Sequence, residues 1–237
     1  MNSSLLSPEG ILLVDKPSGR TSFSLVALAR KRTGQKKIGH AGTLDPFATG
    51  LLILLLGRTW TRKAELFLTH DKEYSAIFRL GQSTDTYDRE GQKVLTSSYV
   101  PSQEQLESHL AYFQGEYNQT PPMFSAKKKD GKKLYELARK GVSIDRKKEM
   151  VRVHTTLEWY RYPDLKVYIR CSKGTYIRSI ANDLGERLGC YAYVQELERT
   201  RSGPFSLNDA VSFETFNDCT PETIQSLLIE DYGRLHS

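Results

Sequence analysis

The apolar and polar residues along the chain follow two periods, which predicts a mixed α/β fold. Residues 10–15 and 51–56 are apolar runs of strand length and predict buried strands. Residues 72–80 alternate, with Tyr74 and every second residue after it apolar, so they predict a strand with one buried face. Further strands are predicted at 151–160, 165–171 and 191–197, the first two as a hairpin, and a polar loop is predicted at 82–92.

Apolar residues spaced three or four apart predict five helices between these strands. They cover residues 22–32, 59–68, 102–113, 134–139 and 175–188. In the first helix we expect Ser22 to be the N-cap, with Phe23, Val26 and Ala27 on one face. The last helix carries four Ile and Leu residues on one stripe, which indicates a strongly buried face.

The composition is that of an ordinary globular protein and excludes several classes. The chain has 237 residues, of which 38% are hydrophobic and 26% charged, which argues against a disordered protein. No apolar run approaches the roughly 20 residues of a membrane span, and the N-terminus lacks the pattern of a signal peptide. The three cysteines are far apart with no CxxC pair, which favours reduced thiols in the cytoplasm and argues against a zinc site.

The charge favours an anionic partner, of which nucleic acid is the commonest large one. The formal net charge is +6 and the pI is about 9.1. Basic clusters occur at residues 30–32, 36–37, 127–129, 132–133 and 146–148. Clusters of this kind are often only solvated surface. Here Tyr117, Phe124 and Tyr135 lie among them and are expected to be exposed, which suits phosphate contact together with base stacking in RNA.

Residues 39–50, GHAGTLDPFATG, form a loop that presents one carboxylate, Asp45. Pro46 disfavours the α conformation for Asp45, so the acid is expected to be held extended before a buried strand. His40 lies five residues earlier. The loop is therefore interpreted as presenting a nucleophile or base, with a simple Asp-Pro turn as the alternative.

A second loop, residues 172–178 (SKGTYIR), leads into the last predicted helix and could receive an anion at its backbone amides. It places Arg178 in the first turn, where the helix dipole disfavours a cation. Such an arginine is explained if it pairs with a buried carboxylate, for which Asp45 is the obvious candidate. The alternative is an arginine that reaches solvent.

Five stretches in this order resemble the bacterial tRNA pseudouridine-55 synthases of the TruB type. They are residues 10–22, 39–52, 72–91, 121–141 and 172–189. The resemblance implies the pseudouridine synthase fold, an α/β (α+β) fold with a long, mixed, mainly antiparallel sheet, flanking helices and a central active-site cleft. It implies an isomerase that converts one uridine to pseudouridine in the T loop of tRNA, with no metal and no cofactor.

The resemblance also implies roles for individual residues. Asp45, Tyr74 and Arg178 are implied as catalytic: Asp45 acts on the sugar or base, Arg178 pairs with it and keeps it ionised, and Tyr74 stacks on the detached uracil. Attack of Asp45 at C1′, attack at C6 and formation of a glycal all stay open. Lys16 and Pro17 match a motif that we interpret as scaffolding.

Substrate contacts are implied at three further positions. Tyr176 and Leu197 match positions that contact the target nucleotide, and His40 matches a residue that reaches into the RNA loop. Unstacking the target base costs energy that such contacts offset. The lysines expected to contact the RNA backbone are Lys127, Lys128, Lys129, Lys132 and Lys133.

The expected domain plan is a catalytic domain at 1–207, with an RNA-binding insert at about 115–150, and a tail at 208–237. Typical relatives continue into an RNA-binding PUA domain, for which this tail is too short; we expect it to be helical or loosely packed. The expected partner is the T stem-loop of tRNA, with no membrane, and the protein is expected to be a cytoplasmic monomer. The alternatives are a synthase for another RNA or a guide-dependent relative, and a non-catalytic RNA-binding or tRNA-folding chaperone.

Overall fold

The computed structural model describes residues 8–125, 127–129, 131–138, 141–142 and 144–233. The chain divides into two compact units. The first unit contains the residues up to Tyr74 together with those from Glu198 onward, and the second contains Ser75–Leu197.

Strands and helices alternate along most of the described chain, as the two periods predict. The strands are β1 (Gly10–Lys16), β2 (Ile38–Ala41), β3 (Thr49–Leu56), β4 (Lys72–Leu80), β5 (Gln82–Thr84), β6 (Lys93–Thr96), β7 (Gly115–Gln119), β8 (Lys128–Lys129), β9 (Lys132–Lys133), β10 (Glu149–Arg161), β11 (Asp164–Cys171), β12 (Ala192–Ser202) and β13 (Phe205–Ser206). The helices are α1 (Ser22–Thr33), α2 (Arg58–Arg62), α3 (Ala64–Leu68), α4 (Gln103–Leu110), α5 (Leu134–Ala138), α6 (Ile177–Leu188), α7 (Phe213–Asp218) and α8 (Pro221–Ser226). Nine of the strands belong to one mixed, mainly antiparallel sheet, while β5–β6 and β8–β9 are separate hairpins. The predicted fold class is confirmed.

In the first unit, β3 is the central strand. It pairs antiparallel with β1 and β2, and parallel with β12 at Thr49 and Gly50. Both of its faces are covered, which explains the unbroken apolar run. Leu52, Leu54 and Leu56 pack in a cluster that includes α1, whereas the alternate residues of β3 pack with α2, α3 and β13.

The C-terminal segment belongs to the same core. Phe216 of α7 and Ile224 of α8 are fully buried in the α1 cluster. The backbone groups of Val211 and Ile229 hydrogen-bond to β1. The segment is helical, as expected, but the expectation of loose packing is wrong, because each short helix contributes one large apolar side chain to the core.

In the second unit, β10 pairs antiparallel with β11 and β7. The predicted hairpin is therefore confirmed. The stripe on α6 is also confirmed, since Ile180 and Leu184 are fully buried.

Several local predictions are wrong. Thr21 is the N-cap of α1, and its side chain accepts a bond from the Ser24 amide at 3.1 Å. With that start the inward face consists of Leu25, Val26 and Ala29, and Phe23 is 60% exposed. Of the three residues expected to share one face, only Val26 is buried, because packing of α1 against β1 and β3 decides which stripe of the helix faces inward.

Other differences concern boundaries and exposure. The helix predicted at 59–68 is two short helices that meet at Lys63, and the loop predicted at 82–92 contains β5. Tyr117 is only 3% exposed, not on the surface as expected. Its hydroxyl donates to the Asp183 carboxylate, and this polar partner lets the ring be buried.

Candidate active site

Asp45 lies on the loop between β2 and β3 and is half-buried. Leu44 and Phe47 on either side of it are 3% and 2% exposed, so both flanks are anchored in the interior. The Ala48 amide donates to the Asp45 carbonyl at 3.1 Å, which closes a turn around Pro46. The Asp-Pro turn therefore exists, and it presents the carboxylate between two buried anchors.

Residues 16–22 hold this loop from one side. The Ser22 hydroxyl donates to the Leu44 carbonyl (3.1 Å) and accepts from the Leu44 amide (2.9 Å). The Ser18 hydroxyl donates to the Phe47 carbonyl at 2.9 Å. Lys16 is fully buried, and its ammonium donates to the carbonyls of Pro17, Arg20 and Pro46 at 2.8, 2.7 and 3.2 Å. Lys16 thus ties the two loops together, which agrees with its interpretation as scaffolding.

Arg199 of β12 holds the other side of the loop. It is 2% exposed, its Nε donates to the Leu51 carbonyl at 2.8 Å, and its Nη2 donates to the Gly42 carbonyl at 2.9 Å. The adjacent Gly50 has a φ of +95°, and a Cβ there would lie 2.5 Å from the Arg199 carbonyl oxygen. Only glycine allows this close approach of β3 and β12. Sequence reasoning missed Arg199, because Glu196, Glu198 and Arg201 beside it are also charged and nothing local marks which of these residues is buried.

His40 is on β2, four residues before Leu44. Burial, and secondly the positive charge of Arg199, lower the pKa of His40. Its Nδ1 is buried and has no hydrogen-bond partner among the described residues. The imidazole is therefore disfavoured as a cation in the folded protein.

A pH dependence of stability follows from His40. Because its folded-state pKa lies below the unfolded value near 6.5, the unfolded chain takes up the proton first as the pH falls. The free energy of unfolding should therefore decrease as the pH falls from about 6.5 through the lower folded pKa. Urea unfolding across this range should show a smaller decrease for His40→Gln than for wild type. His154→Gln, at an exposed position, is the control, and an equal decrease in both variants would contradict the assignment.

In the second unit, the start of α6 is held by Gln119 at the end of β7. The Tyr176 amide donates to the Gln119 side-chain oxygen at 3.0 Å, and the Gln119 amide group donates to the Gly174 carbonyl at 2.8 Å. Tyr176 is the N-cap, so the helix begins at Ile177, two residues later than predicted. Gln119 takes the place of a capping side chain, which fixes the loop before the helix.

Arg178 is in the first turn of α6 and is 3% exposed. Its Nη1 donates to the Thr86 carbonyl at 3.0 Å, and its Nη2 donates to the Phe124 carbonyl at 2.9 Å. Nη1 also lies 3.7 Å from Asp88 Oδ2. Arg178 therefore contacts a buried carboxylate of its own unit, Asp88, and the alternative of a solvent-exposed arginine is wrong; its pairing with Asp45 stays a prediction.

Asp88 is the second residue that sequence reasoning missed. It is 5% exposed, and its Oδ1 accepts from the Thr86 hydroxyl at 2.6 Å and from the Glu90 amide at 3.0 Å. These bonds fold the segment around Asp88 into a rigid turn. The sequence around Asp88 does not reveal that this acid is buried, because Asp, Thr and Gly residues in a polar loop are also typical of exposed turns.

The remaining predicted site residues are distributed over both units. Tyr74 in the first unit and Leu197 in the second are 8% and 7% exposed. Lys127 pairs with Glu149. Lys128–Lys129 and Lys132–Lys133 form the two strands of the β8–β9 hairpin, which we call the lysine hairpin.

Two features are absent from the part of the chain that the structure describes. No group of three or more His, Cys, Asp or Glu is placed to hold a metal ion. No helix in this part is both long and apolar enough to cross a membrane.

Two family models match the chain. One, described as TruB family pseudouridylate synthase (N terminal domain), matches residues 30–177. The other, described as tRNA pseudouridylate synthase B C-terminal domain, matches residues 178–230. Together they cover most of both units.

Individual relatives agree with these matches. The tRNA pseudouridine synthase B of Chlamydia pneumoniae is 58% identical over 203 residues, 86% of this chain and 86% of that protein. The enzyme of the same name from Opitutus terrae is 42% identical over 226 residues, 94% and 93% of the two chains. A chain in the crystal structure of a Cbf5-Nop10-Gar1 complex is similar in fold, with a TM-score of 0.73 and 26% identity over 94% of this chain. This chain spans 60% of the length of that one.

Proposed function

The chain belongs to the TruB family of pseudouridylate synthases, and from this premise we propose that it isomerises uridine to pseudouridine at position 55 in the T loop of tRNA. The observation that carries the proposal is the match at 58% identity to a tRNA pseudouridine synthase B over most of the chain. A carboxylate on a loop clamped from both flanks, Asp45, supports it, because a group that acts on a nucleotide must be held in position. We further propose that the protein acts as a cytoplasmic monomer with no metal or cofactor.

The proposed reaction exchanges one glycosidic bond for another. The bond from N1 of uracil to C1′ breaks, the base turns, and a bond from C5 to C1′ forms. C5 loses its proton and N1 gains one, so the reaction needs no oxidant or reductant. In this scheme Asp45 attacks C1′ or C6, or removes a sugar proton to give a glycal.

The catalytic set of the proposal is Asp45, Tyr74 and Arg178. We propose that Arg178 pairs with Asp45 and favours its charged form. The contacts of Arg178 with Asp88 and with the carbonyls of Thr86 and Phe124 support this role, because they hold its guanidinium in one orientation. Tyr74 is proposed to stack on the detached uracil and to assist removal of the C5 proton.

The substrate-binding set of the proposal is His40, Tyr176 and Leu197. The target base must leave its stack, which costs a few kcal/mol. Tyr176 and Leu197 are proposed to contact the flipped nucleotide, and His40 to occupy the place that it leaves. A neutral imidazole, which the lowered pKa of His40 favours, suits stacking among bases.

The lysine hairpin and Lys127 are proposed to contact phosphates, so tRNA affinity should fall steeply as salt rises. Charge reversal at Lys127, Lys128 and Lys129 together should weaken binding without changing which uridine is modified. Each phosphate contact that is lost should reduce the salt slope by roughly 0.7–0.9. Because Glu149 offsets its charge, Lys127→Gln alone should reduce the salt slope by less than the roughly 0.7–0.9 of one full phosphate contact. Filter binding at several salt concentrations measures this, and an affinity independent of salt would contradict it.

Tritium release from tRNA labelled at uridine C5 tests the activity, and mapping the product tests the position. Release from position 55 supports the proposal. Release from another site or another RNA supports the alternative of a different target, and tight binding without release supports a chaperone. The 58% identity to a tRNA enzyme, against 26% to the Cbf5-complex chain, favours tRNA as the substrate.

A further inference from the structure

The positive charge of this protein is concentrated in one segment of the first unit. Residues 16–64 contain ten Lys or Arg and a single acid, Asp45. The remaining 188 residues contain 24 Lys or Arg and 27 Asp or Glu. The excess of positive charge therefore originates in this segment, and its one carboxylate is the proposed catalytic group.

Much of this charge surrounds β2. Among the described strands β2 pairs only with β3, so its other side is a sheet edge. The end of α1 lies beside it, because Arg30 Nη2 donates to the Ile38 carbonyl at 2.7 Å. The start of α2 lies beside it as well, because the Gly57 amide donates to the Lys37 carbonyl at 2.7 Å.

Five cations at this place have exposed side chains, and we call them the basic edge. They are Lys31, Lys36, Lys37, Arg58 and Arg62. In the described part of the chain none of the five forms an ion pair with a carboxylate. The edge strand contains His40 and continues directly into the Asp45 loop.

Two ordinary explanations account for part of the basic edge. Lysines protect an open sheet edge from pairing with other strands, and cations at the end of α1 interact favourably with the helix dipole. Neither explains why acids are absent from residues 16–44 and again from 46–64. Phe23, 60% exposed on α1 with the Arg30 guanidinium 5.6 Å from its ring centroid, adds an aromatic surface of the kind that RNA-binding proteins use.

We propose that the basic edge binds the sugar-phosphate backbone of the substrate tRNA, as a contact surface separate from the lysine hairpin. The inference rests on the proposed function for the identity of the RNA. Exposed cations that form no ion pair with a carboxylate and flank one edge strand can neutralise phosphates and release counterions on binding. Because that strand leads to Asp45, the same contacts place RNA beside the loop that carries the reactive carboxylate.

The test compares two triple variants that each lower the formal charge by three. One is Lys31→Gln, Lys36→Gln and Lys37→Gln; the control is Lys93→Gln, Arg152→Gln and Arg161→Gln, whose side chains are also exposed. The dissociation constant for tRNA is measured between about 50 and 200 mM salt. We expect the basic-edge triple to reduce the slope of log Kd against log salt by about 2–3, and the control to reduce it by less than about 1.

Equal reductions in both triples would show a general effect of net charge and would overturn the proposal, as would an unchanged slope in the basic-edge triple. The midpoints of urea unfolding show whether each variant is folded. The double variant Lys36→Gln, Lys37→Gln, which leaves α1 unchanged, provides the same test and should reduce the slope by about 1–2. Tritium release by wild type is measured separately. If wild type releases no tritium, the proposed function is wrong. If wild type is active but both triple variants change the salt slope equally, the proposed function stands and only the role of the basic edge is wrong.

Discussion

Asp45→Asn is expected to remove turnover while leaving tRNA binding in place. The amide has nearly the shape of the carboxylate but can neither attack carbon nor accept a proton. A positioned acid, base or nucleophile supplies at least about 10²–10⁴-fold in rate, so product formation should fall by that factor or more. The loop itself should keep its shape, because Lys16, Ser18 and Ser22 donate to backbone carbonyls of the loop, which the substitution leaves in place.

The measurement is single-turnover tritium release beside a binding curve for the same tRNA. Asp209→Asn, an exposed change of the same kind in the same unit, is the control and should keep wild-type activity. Near-normal release by purified Asp45→Asn would show that another group performs the chemistry. Loss of binding together with activity would instead show that the carboxylate supports the loop.

The long, buried strands were the most predictable part of the fold, for a physical reason. The run at β3 is buried on both faces, and the alternation at β4 reflects one buried face, so each pattern reports its own surroundings. The buried face of α1 was not predictable in this way, because Phe23 and Leu25 are both apolar and only packing against β1 and β3 decides which of them is buried.

The hydrogen-bond and ion-pair partners that hold the candidate site were less predictable than Asp45 itself. Asp45 stands out in its loop, whereas the partners of Arg178 come from residues far away in sequence, at Thr86, Asp88 and Phe124. Arg199 likewise reaches Gly42 across the sheet. Pairing between distant residues leaves no periodic signal in either segment, so a single sequence cannot specify it.

Arg178→Met is expected to lose nearly all activity, in part through a loss of stability that sequence reasoning did not anticipate. Methionine keeps much of the volume but donates no hydrogen bonds, so the carbonyls of Thr86 and Phe124 lose their donor and Asp88 loses its cation. Removing one partner of a buried ion pair costs about 3–5 kcal/mol. The free energy of unfolding should therefore fall, and the rate should be compared at a temperature where the variant is folded.

A second substitution separates support of the fold from support of the chemistry. In Arg178→Met with Asp88→Asn, the negative charge at Asp88 is removed while the amide oxygen can still accept from Thr86 and Glu90, so part of the lost stability should return. If Arg178 acts through Asp45, the rate of this folded double variant should stay at least about 10²-fold below wild type. The measurement is single-turnover release beside urea unfolding for both variants. Recovery of activity in step with stability would show that Arg178 holds only the Thr86 and Phe124 segments, and the proposed pairing with Asp45 would be wrong.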